Sequence, residues 1–292
     1  MEGTPMRERL NFWIIGGDPR QATLARALSE DGHTVHTYAL ERGVAPSLCA
    51  DSLSGVSVAD CVILPLPAAD GDFLNAPLSD RRVSLSQVLD ALRPGQLLCA
   101  GRVDPRLQEA AEARQLHLID YFSREELAIA NAVPTSEGAI QIAMEELPIT
   151  LHGARVLVIG AGRLGKVLCQ QLKGLGANVS LAARKFSDLA WAQVWGCGAE
   201  RSDQLSGWLC SYDLILNTVP VPILNREELG DLKPGCLIID LASKPGGVDF
   251  AAASDLGVKV IWALSLPGKT APVTAGLAIK TAIYNILTEL GV

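Results

Sequence analysis

The stretch ARVLVIGAGRLGKVLCQQLKGLGANVSLAAR, residues 154–184, decides how this chain folds. It opens on an apolar run that reads as a buried strand, turns through glycines, continues with helical spacing, and closes on a second apolar run. Strand, helix and strand in that order make two parallel strands joined by a crossover helix, a unit that propagates into sheets covered on both faces. The turn reads Gly160-Ala161-Gly162-Arg163-Leu164-Gly165, directly after the strand and at the opening of the helix. That is the context a dinucleotide fingerprint requires. Gly160 permits the tight turn, Gly162 lets the backbone approach a pyrophosphate, and Gly165 allows the helix to pack close to the strand. Arg163 and Leu164 complete the turn, and the unpaired amides of the helix start face the phosphates. A strand-to-helix turn without any ligand is the plainer alternative.

At the tip of the second strand an NAD enzyme presents Asp or Glu to the ribose hydroxyls. Here Arg184 and Lys185 stand in that place. Two cations suit a 2′-phosphate through charge-assisted bonds, and the missing carboxylate removes a repulsion, so NADP is favoured over NAD. A solvated loop tip with two basic residues is the competing reading.

The same layout occurs near the start, in NFWIIGGDPRQATLARALSEDGHTVHTYAL (11–40). Its turn, Gly16-Gly17-Asp18-Pro19-Arg20-Gln21, lacks glycine at the second and third places, and Asp18 would repel a pyrophosphate. We read it as a substrate-facing or structural loop. Further buried strands are expected at 61–66, 96–101 and 116–121, and again at 213–219, 236–242 and 259–264, with Pro-Gly in LRPG and LKPG stopping the helix before a strand. The expected fold is α/β with two doubly wound domains: a flavodoxin-like N-terminal domain over 1–122, hinge helices over 123–150, a Rossmann NAD(P)-binding domain over 151–271, and a C-terminal helix over 272–292. Proline removes an amide donor and biases its predecessor away from helical angles, so Val133-Pro134 predicts a broken or two-part helix in the hinge. The last helix, from about Thr274 to Leu290, has the N-terminal domain and the hinge as its candidate neighbours.

A net charge of −7 gives no general attraction for nucleic acid or anionic lipid, so an anionic ligand needs a local site. The seven cysteines form no C-x-x-C pair, and an odd number cannot pair completely, which predicts a reduced compartment. No metal-like cluster of His or Cys is present in the sequence, so no metal site is expected. The N-terminal segment lacks a signal-peptide core and no apolar stretch is long enough to span a bilayer. The expectation is a soluble cytoplasmic protein.

In open α/β sheets the ligand lies beyond the carboxyl ends of the strands. Asn217, Thr218, Val219 and Pro220 should therefore run alongside the cofactor, with the Asn amide or Thr hydroxyl available to orient it. Lys244 and Lys269, in the glycine-containing phrases SKPGG and LPGKT, are candidates to receive carboxylates, and a solvated lysine is the alternative for each. Asn131, Thr135 and Ser136 surround the expected helix break and could reach a cleft; Thr135 or Ser136 would equally serve as the N-cap of the following helix. Hydride transfer needs mainly orientation of the reactants, so the sequence demands no acid/base dyad and the general acid or base is left unassigned.

Several phrases in fixed order, IIGGDPRQ (14–21), VILPLPA (62–68), NAVPTSEGAIQIAM (131–144), HGARVLVIGAGRLG (152–165), NTVP (217–220), DLASKPGGVDF (240–250) and LPGKTAPVTAG (266–276), resemble the family of the dipicolinate synthase A subunit over nearly the whole length. The resemblance implies oxidation of a dihydrodipicolinate-type intermediate to dipicolinate, with hydride passing to NADP. It also implies that the partner is the flavoprotein-like B subunit of dipicolinate synthase, that the chain forms a homo- or hetero-oligomer, and that it acts in the mother cell of a sporulating bacterium. A dicarboxylate wants two cationic anchors in an otherwise acidic protein, and Arg20 and Lys244 are the leading pair. Position 244 is Lys where Arg can occur in the family, and Lys269 interrupts an otherwise apolar stretch. Two other classes stand beside this one: a 2-hydroxy- or 2-amino-acid dehydrogenase on the same frame, and a non-catalytic dinucleotide-binding scaffold.

Overall fold

The computed structural model describes residues 9–292. Residues 1–8, part of the segment read above as lacking a signal peptide, lie outside the described residues. The chain divides into two compact units, residues 1–131 with 271–292, and residues 132–270.

In unit 1 the chain runs β1 (Asn11–Ile15), α1 (Pro19–Glu30), β2 (Thr34–Tyr38), β3 (Cys61–Ile63), a small hairpin of β4 (Ala69–Asp70) and β5 (Phe73–Leu74), α2 (Leu85–Asp90), β6 (Leu97–Ala100), α3 (Pro105–Glu112) and β7 (His117–Asp120). The main sheet is parallel with order β2-β1-β3-β6-β7. Without the hairpin this is the 2-1-3-4-5 order of flavodoxin-like folds. Alternation along β1 explains the two covered faces. Phe12 and Ile14 enter one core with Leu24, Leu28, Ile279 and Ile283, while Trp13 and Ile15 enter the other with Val88, Leu89 and Leu107.

The linking helix α4 (Glu125–Glu146) is continuous over 22 residues with Pro134 inside it, where the sequence predicts a break. Proline withdraws one donor from the ladder and crowds one carbonyl. Ala132, Pro134, Ser136, Ala139, Ile140 and Ala143 are all buried, so packing on both sides of the proline carries the helix across it. Thr135 and Ser136 consequently lie inside a helix and cap nothing. The division between the units falls within α4, between Asn131 and Ala132.

Unit 2 continues with β8 (Arg155–Ile159), α5 (Arg163–Gly174), β9 (Asn178–Ala183), α6 (Phe186–Val194), β10 (Gly198–Arg201), β11 (Leu214–Asn217), α7 (Arg226–Gly230), β12 (Leu237–Asp240), α8 (Phe250–Asp255), β13 (Lys259–Trp262) and α9 (Leu266–Thr270). Its six strands are parallel in the order β10-β9-β8-β11-β12-β13, the 3-2-1-4-5-6 order of a Rossmann sheet. The strand order reverses between β8 and β11, the switch point at which such sheets receive ligands.

The last helix, α10 (Pro272–Leu290), belongs to unit 1. Its face of Ala275, Gly276, Ile279, Ala282, Ile283 and Ile286 is buried, and it packs along α1. A side chain at Gly276 would place Cβ 2.5 Å from the Arg20 carbonyl oxygen, so glycine sets how closely the two helices approach. Among the described residues no helix is long and apolar enough to cross a membrane.

Candidate functional site

The glycine turn of unit 2 has the shape its residues dictate. Gly160 holds φ at +104°, a backbone region that side chains disfavour, and a Cβ there would lie 2.3 Å from Thr218 Oγ1. A Cβ on Gly165 would lie 1.8 Å from the Gly160 carbonyl oxygen, so α5 can reach this close to the turn only without a side chain. Gly162 differs from both. It is the N-cap of α5 with ordinary extended angles, and among the described residues nothing lies within 4 Å of where its Cβ would be. Among the described residues no side chain caps the helix, and no acidic residue stands in its first turn. The start of α5 thus carries the positive end of the helix dipole and no capping side chain from the described residues, an arrangement suited to an anion.

Beyond β9, Arg184 and Lys185 are both exposed at the carboxyl edge of the sheet. The neighbouring strand β10 ends on Arg201, opposite Ala183. Sequence reasoning does not reach Arg201, because its place beside Arg184 arises only from the pairing of β9 with β10.

The phrase 217–220 lies at the switch point, and its two polar side chains face inward. Asn217 is fully buried; its Nδ2 donates to Val219 O at 3.0 Å and to Asp240 Oδ1 at 2.8 Å, and its Oδ1 accepts from Val219 N. Thr218 Oγ1 donates to Ile159 O at 2.8 Å. Both groups shape the turn, which leaves Val219 and Pro220, half-buried and exposed, as its outward part. Asp240, at the carboxyl end of β12, belongs to the same region. Its carboxylate is fully buried and accepts from Asn217 Nδ2, Ala242 N at 3.1 Å and Gly247 N at 2.8 Å. Asp240 thus pins both ends of the loop that carries Lys244. Three donors answer the charge that burial would otherwise make costly. The glycines of SKPGG follow from this packing, since a Cβ on Gly247 would lie 2.3 Å from Asn217 Nδ2 and one on Gly246 2.8 Å from Asp240 Oδ2. The signal in the sequence is a carboxylate ending a buried strand a few residues before paired glycines. Lys244 is exposed on this loop and Lys269 is exposed near the end of α9.

In α4, Ser136 is fully buried and its Oγ has no hydrogen-bond partner among the described residues; Thr135 and Asn131 are half-buried. In unit 1 the turn 16–21 is filled by its own side chains. Asp18 is the N-cap of α1 and forms a capping box with Gln21. Arg20 is nearly buried; its Nε and Nη2 both bond Asp18, and Nη2 also donates to Leu66 O. Arg20 therefore offers a cation that already has a carboxylate beside it. Among the described residues no group of three or more His, Cys, Asp or Glu side chains is disposed to hold a metal ion.

The fold and the open turn define the class: a two-domain α/β protein whose second domain is a dehydrogenase-type dinucleotide-binding domain. Residues 127–291 match the family described as the alanine dehydrogenase/PNT C-terminal domain, and residues 11–122 match the N-terminal domain family of the dipicolinate synthase A subunit. The chain is 34% identical over 287 residues to the dipicolinate synthase A subunit of Bacillus subtilis (strain 168), covering 96% of this chain and 97% of that protein. The crystal structure of the Bacillus subtilis protein superposes with a TM-score of 0.89 at 32% identity, covering 98% of each chain. That of the corresponding protein from Bacillus halodurans gives 0.88 at 27% identity, covering 95% of this chain and 97% of the other. The chain belongs to the family of the dipicolinate synthase A subunit.

Proposed function

We propose that this chain oxidises a dihydrodipicolinate-type intermediate to dipicolinate with NADP as hydride acceptor. The observation that carries the reading is the start of α5, which no side chain among the described residues caps, with Arg184 and Lys185 beyond the neighbouring strand, in a member of this family. The amides of residues 162–165 would hold the pyrophosphate and the two cations the 2′-phosphate. Val219 and Pro220 would flank the cofactor, while Asn217, Thr218 and Asp240 keep the turn and the 242–247 loop in shape behind them. When bound, the nicotinamide supplies a two-electron hydride acceptor; the dihydropyridine ring loses a hydride and a proton and becomes aromatic. The chain's own part is to bind and orient. Lys244 offers a cation to one substrate carboxylate and Arg20 is the proposed second anchor, with Asn131, Thr135, Ser136 and Lys269 as further candidate contacts.

The Bacillus subtilis relative is the A subunit of a synthase, which supports a B subunit, flavoprotein-like by family resemblance, as partner. The proposed setting is the cytoplasm of the mother cell during sporulation. One observation favours a second reading, a dinucleotide-binding scaffold: Asn217, Thr218 and Asp240, the polar side chains at the switch point, are all engaged internally.

The test follows reduced nicotinamide and pyridine dicarboxylate together, with freshly generated dihydrodipicolinate precursor, NADP or NAD, and the chain with and without its flavoprotein-like partner. Equal yields of both products with NADP preferred are expected, and Lys244→Ala should raise the substrate KM more than it lowers kcat. Product without cofactor reduction, or none without the partner, would favour the scaffold.

A further inference from the structure

The edge that carries Arg184 and Lys185 holds a third cation in an unusual setting. Arg201 ends β10 opposite Ala183, so it stands beside the residue that precedes Arg184. Its guanidinium lies over the ring of Phe186, 4.9 Å from the centroid. Asp203 holds the guanidinium as a fork, with Nε donating to Oδ1 at 2.8 Å and Nη2 donating to Oδ2. Phe186 is 76% exposed, so its ring face contributes little to the core. Asp203 is about half exposed. The hydrogen bond from Arg201, and more weakly the charge of Arg184, hold its carboxyl below the ordinary value. Arg201 and Arg184 thus act on one carboxylate, beside an aromatic ring that carries Arg201, at the edge where a Rossmann sheet meets the adenosine ribose.

We propose that Arg201, stacked on Phe186, is a third recognition group for the 2′-phosphate of the dinucleotide, and that the phosphate takes the place of Asp203 on the arginine fork. The inference rests on the reading of this edge as NADP-selective. A carboxylate and a phosphate both present paired oxygens to a planar guanidinium, and the phosphate monoester carries more charge. Asp203 is exposed enough to turn into water when displaced, and a surface ion pair of this kind is weak enough to exchange. The Phe186 ring keeps the guanidinium plane oriented during the exchange. In the free protein Asp203 therefore preorganises the fork, and in the bound state it is the rival anion.

The test is calorimetric titration of the full chain with adenosine 2′,5′-bisphosphate and with AMP, probes that differ only in the 2′-phosphate. Arg201→Ala should weaken the bisphosphate about tenfold and leave AMP within about twofold. Arg201→Lys, which keeps the charge and loses the fork, should fall between, and Asp203→Asn should tighten the bisphosphate alone. Thermal melting of each variant controls for folding. A wild-type preference for the bisphosphate that survives Arg201→Ala would overturn the role of Arg201 while leaving the NADP reading intact. Equal affinity of the wild type for the two probes would overturn both.

Discussion

The turns at 16–21 and 160–165 start from one plan and end in opposite chemistry. Each follows a buried first strand of a parallel sheet and leads into a 12-residue helix. Their N-cap residues even share a backbone conformation, Asp18 at φ −106°, ψ −169° and Gly162 at φ −73°, ψ −170°. In the first turn the Asp18 carboxylate accepts from the helix amides, Pro19 removes one donor, Gln21 closes the capping box and Arg20 neutralises the carboxylate. In the second, the N-cap residue Gly162 has no side chain to offer those amides. Fold alone therefore does not make a ligand site; an N-terminus becomes one when the sequence leaves its donors open.

The largest expected effect comes from closing the second turn by force. Gly165→Ala places a methyl group 1.8 Å from a backbone oxygen, so β8 and α5 must separate. We expect a loss of about 3 kcal/mol of stability in denaturant unfolding, together with loss of dinucleotide binding. Unchanged stability would show that the close approach has no energetic weight. A sharper comparison comes from Gly162→Asp, which gives the second turn the cap of the first. The added Cβ meets nothing among the described residues and the backbone angles suit aspartate, so the thermal midpoint should hold or rise slightly. Dinucleotide affinity should fall by about 100-fold, because the carboxylate occupies the amides and repels the phosphates. Binding at wild-type strength would sink the assignment of the α5 start as the phosphate site.

The two turns were legible from sequence because each is local: the glycine spacing, the strand before and the helix after are all within one short stretch. Both sheet orders follow from repetition of the same unit under the handedness of its crossovers. The α4 helix through Pro134 was not legible, since a proline weakens a ladder by a known amount while the burial of Ala139, Ile140 and Ala143 in the core of unit 2 depends on residues distant in sequence. The inward bonding of Asn217 to Asp240 was not legible for a related reason. They are 23 residues apart and meet because β11 and β12 pair with Asn217 opposite Asp240. An amide that looks available at a strand end becomes scaffold once register supplies a neighbouring carboxylate. Arg201 was missed on the same ground, its partner strand being chosen by pairing.

Smaller effects test the first turn. Asp18→Ala removes the cap and the ion partner of Arg20, and should lower the stability of unit 1 by about 1 kcal/mol without creating dinucleotide binding there. Appearance of such binding would mean that the capping carboxylate alone separates the two turns. Denaturant unfolding of the variant reads the first quantity and calorimetric titration the second.

The smallest effect sits at the other end of α1, which unit 1 ties down at both termini. Asp31, the C-cap residue of that helix, accepts from Lys280 Nζ at 2.7 Å and from Tyr284 OH at 2.6 Å, both on α10. Partial burial pushes its carboxyl upward, but the hydrogen bonds from Lys280 and Tyr284 outweigh it and leave the value below that of a free carboxyl. A carboxyl depressed on folding adds stability that is fully present above its unfolded value and is lost as pH falls through the folded one. Between about pH 5 and pH 3, then, hydrogen exchange in α10 should quicken, and Asp31→Asn should flatten part of that acid dependence. An identical acid slope in the variant would remove Asp31 from the tie. The α5 helix of unit 2, whose C-cap residue is Leu175, has no carboxylate in that place, so its exchange should not follow this part of the acid dependence.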